Sequence, residues 1–310
     1  FKQKTAYEIR LSLVGSEMCI RDRGQSQPRV SRHLKLVVEA GLLERFREGQ
    51  FTRFRLVTAG EDAALVREFV RRLDPKHPRI ATDRARLDAL QQRRQNAAAR
   101  FFRDNAQRWD ELRALHVADR EIERALAHHL PLGARRLLDI GTGTGRLLEV
   151  LAPKVVQAVG VDQSREMLAL ARANLARAGL DNVEIRQGDM YALPFEADGF
   201  DVVTIHHVLH YADDPAAALA EAARVVRPGG TVLVVDFSPH DMVELKREHA
   251  HVHLGFADNQ VQGWLRSAGL NVLEPIHFPG RRLMTGIWRA ERELVQRPAL
   301  AADHSHGVPR

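Results

Sequence analysis

The sequence predicts an α/β protein in which a mostly parallel β-sheet is covered by helices and preceded by a helical region and a small basic unit. The chain has 310 residues, 45% of them hydrophobic, which is enough for a large core and for about two domains. Between residues 137 and 237, short apolar runs alternate with helical segments, a pattern typical of parallel sheets. A glycine-rich turn connects the first of these runs to a helix, as in nucleotide-binding folds.

Composition and charge exclude several classes of protein. No apolar run approaches the ~18 residues that cross a bilayer, and no secretory signal is visible, so we expect a cytoplasmic protein with no membrane partner. The single cysteine, Cys19, excludes a disulfide framework and a multi-cysteine metal site. The net charge is +6, but residues 137–237 carry 8 Lys and Arg against 14 Asp and Glu. The remainder is therefore strongly basic, which favours a polyanionic partner or, equally, a solvated arginine-rich surface.

The most informative stretch is the glycine-rich turn. An apolar strand over 137–140 contains Asp139 and runs into Gly141-Thr142-Gly143-Thr144-Gly145, after which a helix begins. The glycines permit a tight turn and let a ligand approach the backbone. A second strand over 158–161 ends in Asp162, whose carboxylate can accept hydrogen bonds from both hydroxyls of a ribose. These residues alone leave a nicotinamide-binding protein as an alternative.

Further elements follow in a regular order. We predict a helix over 167–175, strands over 183–187 and 200–205, a helix ending at Arg227-Pro228-Gly229-Gly230, a strand over 231–237, and last strands over 271–278 and 283–289. Together with the D-x-G-x-G-x-G turn, this arrangement resembles class I S-adenosylmethionine-dependent methyltransferases. The resemblance implies a Rossmann-like, seven-stranded sheet with an antiparallel last strand, and S-adenosyl-L-methionine as cofactor. It implies these cofactor-binding residues: Asp139, Gly141, Thr142, Gly143, Gly145, Asp162, Gln163, Gly188, Asp189, Met190 and His206.

The segment after the fourth strand is where that family places groups that face the methyl acceptor. His206, His207 and His210 are candidate catalytic residues, with Asp213 beside them, because histidine titrates near neutral pH. The alternative is that these histidines only line the pocket. The segment lacks the N-P-P-[YF] tetrapeptide of many DNA and protein methylases, which favours a small-molecule acceptor. His249, His251 and His253 alternate, but no neighbouring cysteine or carboxylate set completes a site, so no metal is expected.

The basic unit lies near the start of the chain. Val30, Leu34, Val37 and Val38 form an apolar helix face, and 43–56 reads as a β-hairpin with alternating Arg and Phe. Residues 24–56 closely resemble the recognition helix and wing of ArsR-type bacterial repressors. This resemblance implies double-stranded operator DNA as a partner and these DNA-binding residues: Gln27, Arg29, Arg32, His33, Lys35, Arg45, Arg47, Arg53 and Arg55. Metal sensing is not expected, because the family's cysteine-rich site has no counterpart here.

The remaining segments complete the predicted organisation. A helix over 61–73 places its apolar residues on one stripe, which in the repressor family contacts a second copy, so a homodimer is expected; packing on its own domain is the alternative. A helical, arginine-rich linker is predicted over 76–130. It either carries a solvated face or covers the cofactor pocket with Phe101, Phe102 and Trp109. The predicted domains are 1–23, which resembles a translated sequencing artefact; 24–75, a partial winged helix; 76–130, a helical linker or lid; 131–293, a methyltransferase domain; and 294–310, a disordered tail.

Two functional hypotheses follow. The chain is a DNA-binding transcriptional regulator whose methyltransferase-like domain responds to S-adenosylmethionine or S-adenosylhomocysteine, or it is a methyltransferase of a small molecule with the winged helix as an accessory. The basic hairpin favours the first hypothesis. The number of candidate bases favours the second.

Overall fold

The computed structural model describes residues 27–48, 51–57, scattered positions between 65 and 89, 100–105, 119–280 and 282–294. The predicted artefact segment 1–23, Trp109 and nearly all of the predicted tail lie outside the described residues. In the part of the chain that is described, no helix is both long enough and apolar enough to cross a membrane.

The N-terminal part has the two local elements that the sequence predicts. Helix α1 spans Gln27–Glu39, and strands β1 (Leu43–Glu48) and β2 (Phe51–Leu56) form an antiparallel hairpin in which Arg45 pairs with Phe54. Leu34 is buried on one side of α1, while the basic side chains of that helix are exposed. The helix and the hairpin are therefore confirmed as local structure. Their assembly into a winged helix stays a prediction.

The larger part is an α/β unit. Its helices are α2 (Asp119–His128), α3 (Arg146–Leu151), α4 (Arg165–Arg177), α5 (Pro215–Val225), α6 (Glu244–Glu248) and α7 (Asp258–Ser267). Its strands are β3 (Arg136–Ile140), β4 (Gln157–Asp162), β5 (Val183–Gln187), β6 (Phe200–His206), β7 (Val226–Phe237), β8 (Leu270–Val272), β9 (Ile276–Pro279) and β10 (Met284–Arg292). The predicted parallel strands and the helices between them are confirmed.

The sheet has the order β5-β4-β3-β6-β7-β10-β8, with β9 also paired to β10. The pairs from β5 to β7 are parallel, and β10 runs antiparallel to β7. The chain leaves β3 toward β4 on one side and returns to β6 on the other side. This reversal opens a crevice at the carboxyl ends of β3 and β6, which is where ligands bind in sheets of this kind.

Two details of the sheet differ from the sequence prediction. The sheet has eight strands among the described residues, not seven, because the predicted strand 271–278 is divided into β8 and β9. Pro275 lies between them and has no N–H to donate to the ladder, so a continuous strand is interrupted there. In addition, β7 begins at Val226 rather than Thr231, and its pairing with β6 is irregular over the Pro-Gly-Gly turn.

Helices cover both faces of the sheet because successive strand residues point in opposite directions. Leu138, Val203 and Val234 belong to one buried cluster with α5 and α7. Their neighbours Leu137 and Val202 belong to a second cluster, with α2, α3 and α4. The result is a three-layer arrangement in which both faces of the sheet are covered. The carboxyl ends of its central strands remain available for a site.

An ion pair fixes α2 to the helix that follows the glycine-rich turn. Arg146, the first residue of α3, donates from Nε and Nη2 to the two oxygens of Glu123 over 2.8 and 2.7 Å. Glu123 is almost fully buried, so this bidentate pair places α2 firmly against α3. The N-terminal end of α3 is thereby held in position beside the crevice.

The close packing of β4 gives a test of the fold. A Cβ at Gly160 would lie 2.7 Å from Leu148 and 2.8 Å from Ile185, whereas a Cβ at Gly263 in α7 would meet nothing within 4 Å. We expect Gly160→Ala to lower the free energy of unfolding by about 1–3 kcal/mol through overpacking. Gly263→Ala is the matched control and should raise it by up to about 1 kcal/mol through helix propensity. Urea denaturation measures both. Equal effects of the two substitutions would contradict this packing.

Candidate active site

The glycine-rich turn lies at the crevice between β3 and α3. Gly141, Gly143 and Gly145 all have positive φ angles (71°, 53° and 82°), which side chains with a Cβ rarely adopt. The amides of Gly141 and Thr142 donate to the carbonyl of Val161 over 2.7 and 3.0 Å, which anchors the turn to β4. The predicted tight turn is therefore present.

Gly141 is needed for a reason that the sequence does not reveal. A Cβ at this position would lie 2.3 Å from a methyl group of Val208, in the segment that follows β6. The neighbour that excludes a side chain here belongs to this chain and does not have to be a ligand. The turn and the segment after β6 are consequently in direct contact across the crevice.

Asp162 is the last residue of β4 and borders the crevice at the carboxyl end of that strand. Its Oδ2 accepts a hydrogen bond from the Gly143 amide (3.0 Å), and its Oδ1 accepts one from the Ser164 amide (2.9 Å). Burial raises the pKa of Asp162, and the two amides act in the opposite direction by stabilising the carboxylate. Each carboxylate oxygen can accept a second bond, so Asp162 presents a positioned acceptor pair to the crevice.

Three further predicted cofactor residues are held by hydrogen bonds. The side-chain amide of Gln163 donates from Nε2 to Asp189 Oδ1 over 2.9 Å, and the Tyr191 backbone N–H donates to the same oxygen over 3.0 Å. Asp139 is buried and accepts a bond of 2.7 Å from the Thr204 hydroxyl, which ties β3 to β6. The structure thus brings the predicted set to the carboxyl ends of β3, β4, β5 and β6. The binding role of each residue stays a prediction.

The site also fits a polar ligand. Among the described residues, the Thr142 hydroxyl is buried within the turn and has no hydrogen-bond partner. A buried hydroxyl without a partner costs about 1–3 kcal/mol, which a ligand with a hydrogen-bonding group can recover. This observation agrees with a cofactor that lies against the turn.

The other side of the crevice is formed by a 3₁₀ turn over Leu209–Tyr211 and by Asp236 of β7. Asp236 is fully buried and accepts hydrogen bonds from the His210 backbone N–H (3.1 Å) and from His210 Nδ1 (2.7 Å). Burial raises the pKa of Asp236 to about 6. It lowers the pKa of His210 well below its usual value, so the imidazole is neutral at neutral pH.

Further aromatic side chains surround this pair, and we call His207, His210, His251 and Asp236 the histidine cluster. The His251 ring stacks on His210 with 4.1 Å between centroids, and the His207 ring lies 6.1 Å from His210. Burial lowers the pKa of His251 and raises the pKa of the Tyr211 phenol beside it. The cluster therefore gathers three imidazole rings around one buried carboxylate.

The three alternating histidines 249, 251 and 253 take separate places. His249 follows α6, His251 joins the histidine cluster, and His253 Nε2 lies 3.0 Å from the carbonyl of Ala212. The backbone N–H groups of Val252 and His253 both donate to the carbonyl of His210. These bonds attach the segment after α6 to the 3₁₀ turn.

The linker residues Phe101 and Phe102 contact this same side of the crevice. The Phe102 ring lies 4.8 Å from Tyr211, and the Phe101 ring lies 5.8 Å from His249, both edge-to-face. The sequence predicts a cover for the cofactor or a solvated linker. The contacts place the helical segment 100–105 over the residues that follow β6 and α6.

Sequence reasoning missed Asp236 and His240. Asp236 was assigned to the strand but not to the site, although an acidic residue in the apolar run TVLVVDF was the available signal. His240 follows it by four residues, accepts a hydrogen bond from Met242 N (3.3 Å), and has a buried Nε2 without a partner among the described residues. Of the predicted catalytic residues, His206, His207 and His210 are all buried.

Comparison with known proteins shows which proteins share this architecture. Residues 138–234 match the family model described as "Methyltransferase domain". The chain is 36% identical over 136 residues to a ubiquinone biosynthesis O-methyltransferase of Methylococcus capsulatus, covering 42% of this chain and 57% of that protein. It is also 36% identical over 144 residues to a demethylmenaquinone methyltransferase of Thermus thermophilus, covering 45% and 65%. A Bacillus halodurans structure described as a methyltransferase superposes with a TM-score of 0.52 at 23% identity, covering 57% and 100%.

Residues 138–234 therefore match a methyltransferase domain, and the predicted Rossmann-like methyltransferase fold and S-adenosyl-L-methionine cofactor are confirmed. The alignments span less than two thirds of the length of the two curated relatives. The family match begins at residue 138 and does not include α1 or the hairpin.

Asp162 gives a direct test of the cofactor side. We expect Asp162→Asn to weaken S-adenosylmethionine binding about ten- to hundredfold, because a hydrogen bond to a charged group contributes about 1.5–3 kcal/mol. Isothermal titration calorimetry on the full chain measures the affinity. Asp181→Asn is the control, since Asp181 is exposed in the loop before β5. Equal affinities of the two variants would remove Asp162 from the cofactor site.

Proposed function

We propose that the protein is an S-adenosylmethionine-dependent methyltransferase that acts on a small-molecule acceptor. The observation that carries this proposal is the position of Asp162, whose two carboxylate oxygens are fixed by the Gly143 and Ser164 amides at the edge of the crevice. A carboxylate held in this way beside a glycine-rich turn is suited to the two hydroxyls of a ribose. The match of residues 138–234 to the methyltransferase family supports the same function.

The residues around the crevice divide the work of holding the cofactor. Asp162 would accept hydrogen bonds from the ribose hydroxyls, the turn from Gly141 to Gly145 would allow close approach of the cofactor, and Asp189, which accepts a hydrogen bond from the Gln163 side chain, would hold the adenine end. When bound, S-adenosylmethionine supplies a methyl group activated by a positive sulfur; the new bond forms to the acceptor, and the carbon–sulfur bond breaks with its electrons left on sulfur. Alignment of the two reactants then provides most of the rate acceleration.

A hydroxyl or amine acceptor must also lose a proton. His206, His207 and His210 lie at the end of β6 and in the turn after it, and each is buried. Of the three, His206 is the last residue of β6, next to the strand that carries the glycine-rich turn. We assign His206 as the group that accepts the proton, and His207 and His210 as residues that shape the acceptor side.

The names of the relatives and the side chains around the crevice both indicate the chemical class of the acceptor. The two similar curated proteins are named for ubiquinone biosynthesis and for demethylmenaquinone. In this chain the acceptor side is bordered by aromatic and imidazole rings, including Phe102, Tyr211 and Phe237. Flat, partly apolar molecules with a hydroxyl group fit such surroundings.

Loss of the proposed base should affect the chemical step. We expect His206→Gln to lower kcat by about 10²–10⁴-fold, the usual contribution of a general base, without a comparable change in KM for S-adenosylmethionine. Transfer of a radiolabelled methyl group to a panel of hydroxylated aromatic compounds measures both constants. His277→Gln is the control, because His277 lies in β9 and contacts Asp258 rather than the turn after β6. A variant that keeps its kcat on a good acceptor shows that His206 has another role.

A second candidate function is DNA-binding regulation, in which the methyltransferase domain acts as a ligand sensor. The observation that favours it is the exposed face of α1, where Arg29, Arg32, His33 and Lys35 all lie in solvent ahead of the hairpin. A helix with exposed basic side chains followed by a hairpin suits the major groove and the adjacent backbone. Leu65 and Phe69 are also exposed (64% and 65%), which agrees with a homodimer, the expected DNA-binding form.

Titration onto operator DNA tests this candidate. If Arg29 and Arg32 read bases, each alanine variant should cost about 1–3 kcal/mol on a specific site and less on random DNA. Fluorescence anisotropy with the promoter of the gene's own operon, with and without S-adenosylhomocysteine, measures this. Arg177→Ala, an exposed arginine of the methyltransferase domain, is the control. If all variants bind all DNA sequences with equal affinity, DNA-binding regulation is rejected and the enzymatic function is the one that remains.

A further inference from the structure

The histidine cluster contains a group of side chains that methyl transfer does not require. His207, His210 and Asp236 each offer one ligand atom, and these three atoms lie within 4.8 Å of one another. All three residues are buried, with exposures of 6%, 2% and 0%. They come from two neighbouring strands: His207 and His210 follow β6, and Asp236 is the penultimate residue of β7.

The donor set has a defined chemical preference. Two imidazole nitrogens and one carboxylate oxygen are ligands that Zn²⁺ and similar divalent transition metals accept, whereas Mg²⁺ and Ca²⁺ prefer oxygen alone. Metal–nitrogen bonds of about 2.0–2.1 Å place neighbouring ligand atoms about 3.3 Å apart.

The charge at this position also points to a cation. Asp236 is completely buried, and it accepts hydrogen bonds from the backbone N–H groups of His210 and Phe237 and from the imidazole of His210. The nearby His207 stabilises this carboxylate electrostatically. Burying an ionised carboxylate is costly unless positive charge lies beside it, and a divalent ion held by Asp236 and the imidazoles of His207 and His210 adds such charge.

Two nitrogen atoms nearby provide independent support. His240 Nε2 and His251 Nδ1 are both buried, and neither has a hydrogen-bond partner in the described part of the structure. His251 stacks directly on His210, and His240 contacts Phe237, the residue next to Asp236. Buried imidazole nitrogens without partners are unusual unless they face an ion or a ligand.

The backbone at His207 is also unusual. Its φ angle of 54° is in the left-handed region, which histidine tolerates better than most residues but which still carries strain. The hydrogen bond from the His207 amide to the carbonyl of Val235 (2.8 Å) holds this conformation. Strained residues of this kind concentrate at functional sites, and this one directs the chain from β6 toward Asp236.

We propose that His207, His210 and Asp236 bind one divalent transition-metal ion of the Zn²⁺ class at the acceptor side of the crevice. Three protein ligands leave a coordination position open, as in catalytic zinc sites, and an acceptor oxygen can occupy it. Binding of the ion is independent of the proposed function, whereas contact between the ion and the acceptor rests on it. With His207 and His210 engaged as ligands, His206 is the remaining histidine of the segment for proton transfer.

Metal analysis of the untagged full chain tests the site. The protein is stripped with a chelator, dialysed against ZnCl₂ and analysed by mass spectrometry for zinc, with calorimetric titration of Zn²⁺ for affinity. The variants are His207→Gln, His210→Gln and Asp236→Asn. His277→Gln is the matched control, because His277 Nε2 forms a comparable contact of 3.1 Å with Asp258 at a more exposed position outside the proposed ligand set.

We expect about one zinc ion per chain in the unaltered protein and in the control. Each cluster variant should bind zinc at least about 100-fold more weakly, since loss of an outer-sphere partner alone costs about 10–100-fold. Cobalt(II) substitution should give the visible absorption of a low-symmetry nitrogen–oxygen site, and this signal should be lost in the same variants. Substoichiometric zinc in the unaltered protein, or affinities in the cluster variants equal to the control, overturns the proposal.

Two further measurements keep the result unambiguous. Circular dichroism and S-adenosylmethionine affinity are recorded on every sample, and His207→Asn replaces His207→Gln if the latter does not fold, because asparagine tolerates the left-handed conformation. Cofactor binding without zinc binding overturns the metal site and leaves the proposed methyltransferase function intact. Zinc binding without cofactor binding does the reverse.

Discussion

The buried carboxylate of Asp236 is the interaction on which the side of the crevice formed by the turn after β6 depends, the side proposed for the acceptor. It accepts hydrogen bonds from the backbone and the ring of His210, so it fixes the 3₁₀ turn that follows β6. The carbonyl of His210 in turn accepts from the amides of Val252 and His253, which fixes the segment after α6. Phe102 then packs on Tyr211 of the same turn. One carboxylate in β7 thereby organises three stretches of chain that are remote in sequence.

The cofactor side is organised by a different principle. Its central acid, Asp162, accepts hydrogen bonds from backbone amides of two turns. One turn follows β4 directly, and the other follows the neighbouring strand β3. The hydrogen bonds of Asp162 therefore require only β3, β4 and the turns that follow them. The acceptor side requires β6, β7 and the segment after α6 to be in place, so it depends on the completed sheet. The two halves of the crevice therefore differ in how much of the fold each of them needs.

This difference explains what could be predicted from the sequence. The strands β3 to β6, the glycine-rich turn and Asp162 were predictable, because apolar periodicity and turn residues are local signals. The helix α1 and its hairpin were predictable for the same reason. The division of the predicted strand 271–278 at Pro275 and the early start of β7 depend on pairing with β10 and β6, which the local pattern does not contain. Asp236 was overlooked because its partners, His207 and His210, are brought to it only by the sheet.

The contact between Gly141 and Val208 limits which substitutions this crevice can accommodate. Val208 occupies the space of the missing Cβ in the cofactor turn, and two residues later His210 is bound to Asp236. A larger residue at 208 would push the cofactor turn away, and any residue other than glycine at 141 would collide with Val208. Positions 141 and 208 are therefore coupled: a side chain at 141 can be accommodated only if the residue at 208 becomes smaller.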